Sequence, residues 1–199
     1  MNGSLPNDIF YNLSTLLAKV DLGRNKIRGL IPELRNLSNL ETLYLNNNQL
    51  NGTISEAIGN LSKLEILSLE NNYLSGAIPS AIGNLTNLVN FDIDSNQLSG
   101  TIPESIGNLS NLKILSLLIN SLSGTIPESV GNLLNLNYLD LDNNHLNGTI
   151  PELIGNLYNL ESLYLNNNQI SGAIPETIGN LSKLEILYLY NNWKSHESK

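Results

Sequence analysis

Leu160 to Lys183 reads LESLYLNNNQISGAIPETIGNLSK, and a shift of 24 residues in either direction returns the same skeleton. Its first leucine recurs at Leu184, Leu136, Leu112, Leu88, Leu64 and Leu40, and one residue out of step at Leu17. A fixed period in this range announces a repeat architecture, in which each unit buries its apolar face only against its neighbours. What distinguishes this protein from another built the same way must then lie in the positions that vary between copies.

The invariant positions predict the layer. Leu163 and Leu165 alternate with Ser162, Tyr164 and Asn166, the period of a short strand with one buried face. Asn168 offers two donors and an acceptor to the turn leaving that strand. Its counterparts Asn25, Asn48, Asn72, Asn96, Asn120, Asn144 and Asn192 predict a buried ladder. Gly172 suits a close backbone approach or a positive φ. Ile174 is expected to point inward, and Pro175, lacking an N–H, to stop further strand pairing. Glu176 to Asn180 predict a short helical turn closed by Gly179, with Ile178 and Leu181 returning apolar side chains to the core.

About eight such copies run over residues 17–192, copy one being a residue short at Glu33–Leu37. Residues 2–16 resemble the back half of a copy, since Gly3, Leu5 and Pro6 sit where Gly172, Ile174 and Pro175 sit. Residues 194–199 form a polar tail. Both ends, Met1–Leu16 and Trp193–Lys199, are expected to fray first. No linker interrupts the pattern, which predicts one domain over residues 1–199.

Composition narrows the function classes. The 18 acidic and 10 basic residues of this 199-residue chain leave a formal charge of −8, unsuited to nucleic acid or an anionic membrane. With no cysteine there is neither a disulfide nor a thiolate metal site. Met1 is followed by the polar run NGSLPND, so no signal peptide is expected in this chain. No apolar run approaches the roughly 20 residues of a membrane span, and no membrane insertion is expected.

Catalytic chemistry finds no footing. His145 occupies a slot filled elsewhere by Gln49, Gln97 and Gln169, and His196 lies in the tail. Neither is placed beside a nucleophile and an orienting acid, so no enzyme activity and no cofactor are expected. The pairs Asp92/Asp94 and Asp140/Asp142 lie two layers apart, about 9–10 Å at strand spacing, too far to share one metal ion. They read as a solvated acidic face. Nine N-x-S/T sequons occur, at Asn2, Asn12, Asn36, Asn51, Asn60, Asn84, Asn108, Asn147 and Asn180. Six of them read NL(S/T), five at the same corner of the full copies, where Asn and Ser serve the turn.

The outward strand positions carry the variation. Copy four supplies Asp92 and Asp94, copy six Tyr138, Asp140 and Asp142, and copy three Glu70. Between the acidic copies, copy five is apolar, with Ile114, Ser116, Leu118 and Ile119. Tyr164, Tyr188 and Tyr190 follow in copies seven and eight. Repeat solenoids bind through such a concave sheet. An apolar stripe between acidic ones suits a protein or peptide with a hydrophobic anchor bracketed by Lys or Arg.

The unit LxxLxLxxNxLxGxIPxxIGNLxx resembles the plant-type leucine-rich repeat, legible over residues 17–192. The resemblance implies an α/β repeat solenoid: a right-handed, curved superhelix with a parallel concave sheet, a second short sheet and helical turns on the convex side. It further implies a non-catalytic recognition module like those of receptor kinases, receptor-like proteins and polygalacturonase inhibitors, with an extracellular or cell-surface setting. Two other functions follow from the same resemblance. One is inhibition of a cell-wall hydrolase. The other is ice binding through the columns Thr53, Ala77, Thr101, Thr125, Thr149, Ala173 and Asn51, Ser75, Ser99, Ser123, Asn147, Ser171.

Overall fold

The structure is a computed structural model that describes residues 2–6, 9–10, 16–34 and 36–192. The polar tail, Trp193, His196, the Asn12 sequon and most of the two stretches expected to fray lie outside the described residues. Each copy forms one turn of a solenoid, so copies one to eight become layers one to eight.

The alternating leucines produce the expected strands. Lys19–Asp21, Thr42–Tyr44, Ile66–Ser68, Asn90–Asp92, Ile114–Ser116, Tyr138–Asp140, Ser162–Tyr164 and Ile186–Tyr188 pair side by side in one parallel, concave sheet. Register follows the repeat: Ile114 lies opposite Asn90 on one side and Tyr138 on the other. A second parallel sheet is built from Asn2–Ser4, Lys26–Gly29, Gln49–Gly52, Tyr73–Gly76, Gln97–Gly100, Ser121–Thr125 and His145–Asn147. Six 3-10 turns, from Glu56–Asn60 to Glu176–Asn180, stack along the third side among the described residues. One aliphatic core runs through every layer, with Leu67, Leu88, Leu115 and Leu139 fully enclosed.

The asparagine ladder forms, and it has a direction. The Asn120 amide donates to Leu117 O in its own layer and to Ile93 O in the layer before, at 3.2 and 3.1 Å. Its Oδ1 accepts the Leu98 N–H of that preceding layer at 3.0 Å. Asn48, Asn72, Asn96, Asn144 and Asn168 repeat the arrangement. Asn192 donates to Leu165 O and Leu189 O, but its buried Oδ1 has no partner. A second, exposed ladder was not anticipated: Asn87, Asn111, Asn135 and Asn159 each donate to a carbonyl one layer back, at 2.8–2.9 Å.

One expectation is corrected. Gly179 does not close its turn by adopting a positive φ, and neither do its counterparts; Leu181 caps the turn with its N–H on Ile178 O. The counterparts Gly59, Gly83, Gly107, Gly131 and Gly155 answer a different demand, close layer stacking. A Cβ at Gly107 would stand 2.5 Å from Ser129 O and 2.7 Å from Ser129 Cβ in the next layer. Ile174 lines the open end of the core with Leu165, Ile170 and Leu189 and is 57% exposed, whereas Ile78, Ile102 and Ile126, each covered by the layers on both sides, are buried. Gly172 does adopt a positive φ, of 80°. The threonines of the neighbouring column pack between layers, with the Cγ2 methyls of Thr53, Thr101, Thr125 and Thr149 over Gly76, Gly124, Gly148 and Gly172.

Candidate functional site

The concave sheet brings the variable residues onto one face in register, because strands 24 residues apart pair without slippage. Asp92, Ser116, Asp140, Tyr164 and Tyr188 therefore form one row across five layers. At its acidic end the groups are tied together. Ser116 Oγ donates to Asp94 Oδ1 at 2.8 Å, across one layer. Asp92 Oδ1 accepts the Asp94 N–H, and Asp140 Oδ1 the Asp142 N–H, at 3.1 and 3.0 Å. Tyr138 donates its hydroxyl to Asp140 Oδ2 at 2.9 Å, and Asn167 its amide to Asp142 Oδ1 at 3.0 Å. Glu70 accepts from Ser68 one layer before Asp92.

These acids are not the solvated face that their pattern suggests. Asp140 is buried, and Asp92 and Asp94 are half-buried, because neighbouring layers crowd the inner face of a curved sheet. Desolvation pushes Asp92 up to about 6 and Asp94 up to about 7, aided by repulsion from Glu70 and Asp140 at Asp92 and from Asp92 and Asp140 at Asp94. Asp140 is raised too, again chiefly by burial. Burial also raises Tyr138, helped by the Asp140 charge. Among the described residues no three acid, His or Cys side chains could hold a metal ion together.

That shift has a sign that can be tested. A carboxyl whose folded pKa lies above its unfolded value near 3.9 binds its proton more tightly when folded. Its stabilising contribution is complete below about pH 4 and is lost as pH rises through about 6 for Asp92 and 7 for Asp94. Thermal unfolding should therefore occur roughly 2–4 °C higher at pH 5 than at pH 8. Asp92→Asn with Asp94→Asn should flatten the slope. A midpoint that climbs with pH in the parent would contradict the desolvated cluster.

Layer five supplies the apolar patch. Ile114 and Ile119 are exposed and Leu118 is half-buried beside them, while Ser116 lies beneath, engaged with Asp94. Ile119 has φ 51°, in the left-handed region. The same turn position is Asn in five layers, Ser95 in layer four and Arg24 in layer one, all with positive φ. Asn adopts this conformation readily, whereas a β-branched residue is strained there, by about 1–3 kcal/mol. The sequence marked Ile119 as an unusual apolar residue; its backbone strain becomes visible only in three dimensions.

Layers six to eight carry an aromatic run. Tyr138 to Tyr164, Tyr164 to Tyr188 and Tyr188 to Tyr190 have ring centroids 5.4, 5.2 and 5.9 Å apart. Asn166 lies in the same face yet is only 1% exposed, and its Oδ1 has no hydrogen-bond partner. Its column offered no sign of this, since Asn46 is an ordinary polar residue at the equivalent place. Lys19 sits over the Tyr44 ring at 5.2 Å, at the far end of the sheet from the tyrosine run.

The Leucine rich repeat family model matches residues 15–74, 38–98 and 135–193, and a second Leucine Rich Repeat model matches residues 111–133. The chain belongs to the leucine-rich repeat family. Among solved structures, it is 41% identical to the ectodomain of the plant membrane receptor kinase GASSHO1/SCHENGEN3 from Arabidopsis thaliana, in complex with CASPARIAN STRIP INTEGRITY FACTOR 2. The TM-score is 0.92, with 96% of this chain and 23% of that chain covered. A TDR receptor is 39% identical at a TM-score of 0.90, covering 96% of this chain and 33% of that one. The Arabidopsis receptor kinase HAESA, in complex with the peptide hormone IDA and the co-receptor SERK1, is 36% identical at 0.90, covering 94% and 31%. This leucine-rich repeat chain thus spans about a quarter to a third of the length of the receptor chains it matches. No curated protein sequence matches it. Among the described residues, no helix is long and apolar enough to cross a membrane.

Proposed function

We propose that residues 1–199 form one non-catalytic recognition domain that binds a peptide or protein segment along its concave face, centred on layer five. The observation that carries this reading is Ile119. An exposed β-branched side chain held at φ 51° costs stability where Asn would cost none, and solubility gains nothing from it. Ile114 and Leu118 extend the patch, and Asp94 and Asp142 flank it. The receptor ectodomains that share this fold, crystallised with peptide ligands, support the same class of ligand.

The finer reading is a ligand with an apolar anchor between basic residues, the anchor on Ile114, Leu118 and Ile119 and the cations toward Glu70, Asp92, Asp94 and Asp142. Tyr138, Tyr164, Tyr188 and Tyr190 then line the path of the remaining chain, while Ser116 and Asp140 hold the acids from beneath. Short synthetic peptides that vary the anchor and the flanking Lys or Arg, titrated by calorimetry, test it. Affinity should strengthen as pH rises through about 6–7, where Asp92 and Asp94 ionise. Leu118→Asp should weaken the best peptide at least a hundredfold, about 3 kcal/mol. Ile119→Asn should weaken it about tenfold while stabilising the fold by about 1 kcal/mol. Peptides that bind all the variants as tightly as the parent would remove layer five from the site.

A further inference from the structure

Layers five and six break the repeat a second time, away from the concave face. The residue two past each 3-10 turn is Ser62, Thr86, Ser110 and Ser182 in layers two, three, four and seven. In layers five and six it is Leu134 and Tyr158, which are 53% and 55% exposed. Leu153, in the turn of layer six, is 42% exposed where the neighbouring turns carry Ser129 and Thr177. The core does not require these side chains: Leu133 and Leu157, one residue earlier, already fill it and are fully buried.

The chain segments that carry them meet across the boundary between layers five and six. Asn159 Nδ2 donates to Leu134 O at 2.9 Å, which sets Tyr158 beside Leu134 one layer on. Leu153 Cβ stands 2.5 Å from where a Gly131 Cβ would be, against the turn that leads to Leu134. We propose that Leu134, Leu153 and Tyr158 form a docking face for a protein partner that presents an apolar anchor ringed by Lys or Arg. This surface is independent of the concave-face reading.

Charge decides between a different partner and a second copy. Glu128, Glu152 and Glu176 open the turns of layers five, six and seven, making an acidic row at the Leu153 side of the patch, while Lys183 reaches Asn159 Oδ1 at its Tyr158 side. A two-fold contact between copies would set that row against its own image, and an anionic membrane would meet the same repulsion. A basic rim is complementary to it.

The sequons point to the same window. Asn60, Asn84, Asn108 and Asn180 end their turns exposed, each followed by Leu and then Ser or Thr. Asn132 and Asn156 occupy the same place in layers five and six, but Leu134 and Tyr158 remove the acceptor pattern. Wherever that corner is glycosylated, sugars would crowd layers two to four and seven and leave the patch bare.

The test is a phage-displayed peptide library selected on the whole purified chain, with counter-selection on Leu134→Ser/Leu153→Thr/Tyr158→Ser. Those replacements are residues that other layers already carry at these places, and an unchanged thermal midpoint checks the variant. The expected result is enrichment of peptides with an aromatic or aliphatic centre flanked by Lys or Arg. They should bind the parent at least tenfold tighter than the variant and slow hydrogen exchange at Asn132–Leu134 and Leu153–Tyr158. The proposal is overturned by peptides that bind both chains equally, by protection of the concave strands instead, or by no enrichment specific to the parent. It is also overturned if sedimentation shows a parent dimer that the variant loses, which would make the patch a contact between copies.

Discussion

Asn120→Leu is expected to cost on the order of 3 kcal/mol and to loosen two layers at once. The side chain is almost fully enclosed and serves the backbone on both sides of a layer boundary. Leucine has similar bulk but no polar atoms, so in the preceding layer the Leu98 N–H loses its acceptor and Ile93 O is left with the Asn96 amide as its one side-chain donor. The carbonyls of Leu117 and Leu118 lose a donor in its own layer. Each buried polar group left unpaired costs about 1–3 kcal/mol, and burying the new methyls offsets only part of that. Chemical denaturation measures the sum. Hydrogen exchange adds the location, because the Leu98 amide should exchange far faster in the variant. A Leu98 amide as slow as in the parent would mean that water or another group serves the ladder.

Gly107→Ala is expected to destabilise by about 2–3 kcal/mol, while Gly179→Ala at the same repeat position should stay within about 0.5 kcal/mol of the parent. The two glycines have the same neighbours in sequence and neither requires a positive φ. They differ in what lies above them. At Gly107 an added Cβ meets the Ser129 carbonyl oxygen at 2.5 Å and carbon at 3.0 Å, backbone atoms that move only if the next turn moves. At Gly179 no heavy atom lies within 4 Å. An intrinsic preference for glycine in the turn would penalise both substitutions equally, so equal losses would refute the stacking explanation.

Copy five shows how far the candidate site was legible in the sequence. Leu118 and Ile119 stand out once the 24-residue copies are aligned, because each replaces a polar residue in the flanking copies, whereas Ile114 shares its column with Ile66 and Ile186. Asp92, Asp94 and Asp140 stand out in the same way, but their environment does not. The spacing of carboxylates one or two layers apart gives no measure of how much water remains between them. Leu134 and Tyr158 break the same alignment, but outside the strand columns, at the residue after each NL corner. A leucine or tyrosine there is indistinguishable in sequence from one that fills the core, and only its exposure marks it as surface.

Periodicity alone determined the solenoid, its strands and turns, and the asparagine ladder. Each of these depends on residues close in sequence plus one rule, that equivalent positions stack. The sequence also determined which residues share the concave face, since pairing at a fixed period admits one register. Only the tertiary structure decided what stacking does to a given atom. It showed the GN glycine of the turn to be a contact between layers instead of a chain terminator, and Ile174 to be uncovered while its equivalents are enclosed. It held Ile119 in a backbone conformation its side chain resists, and withdrew Asp94 and Asp140 from water. The physical reason is common to all four. Strain, clearance and solvation are set by atoms 24 residues away, across a layer spacing of about 4.8 Å, and no local pattern encodes them.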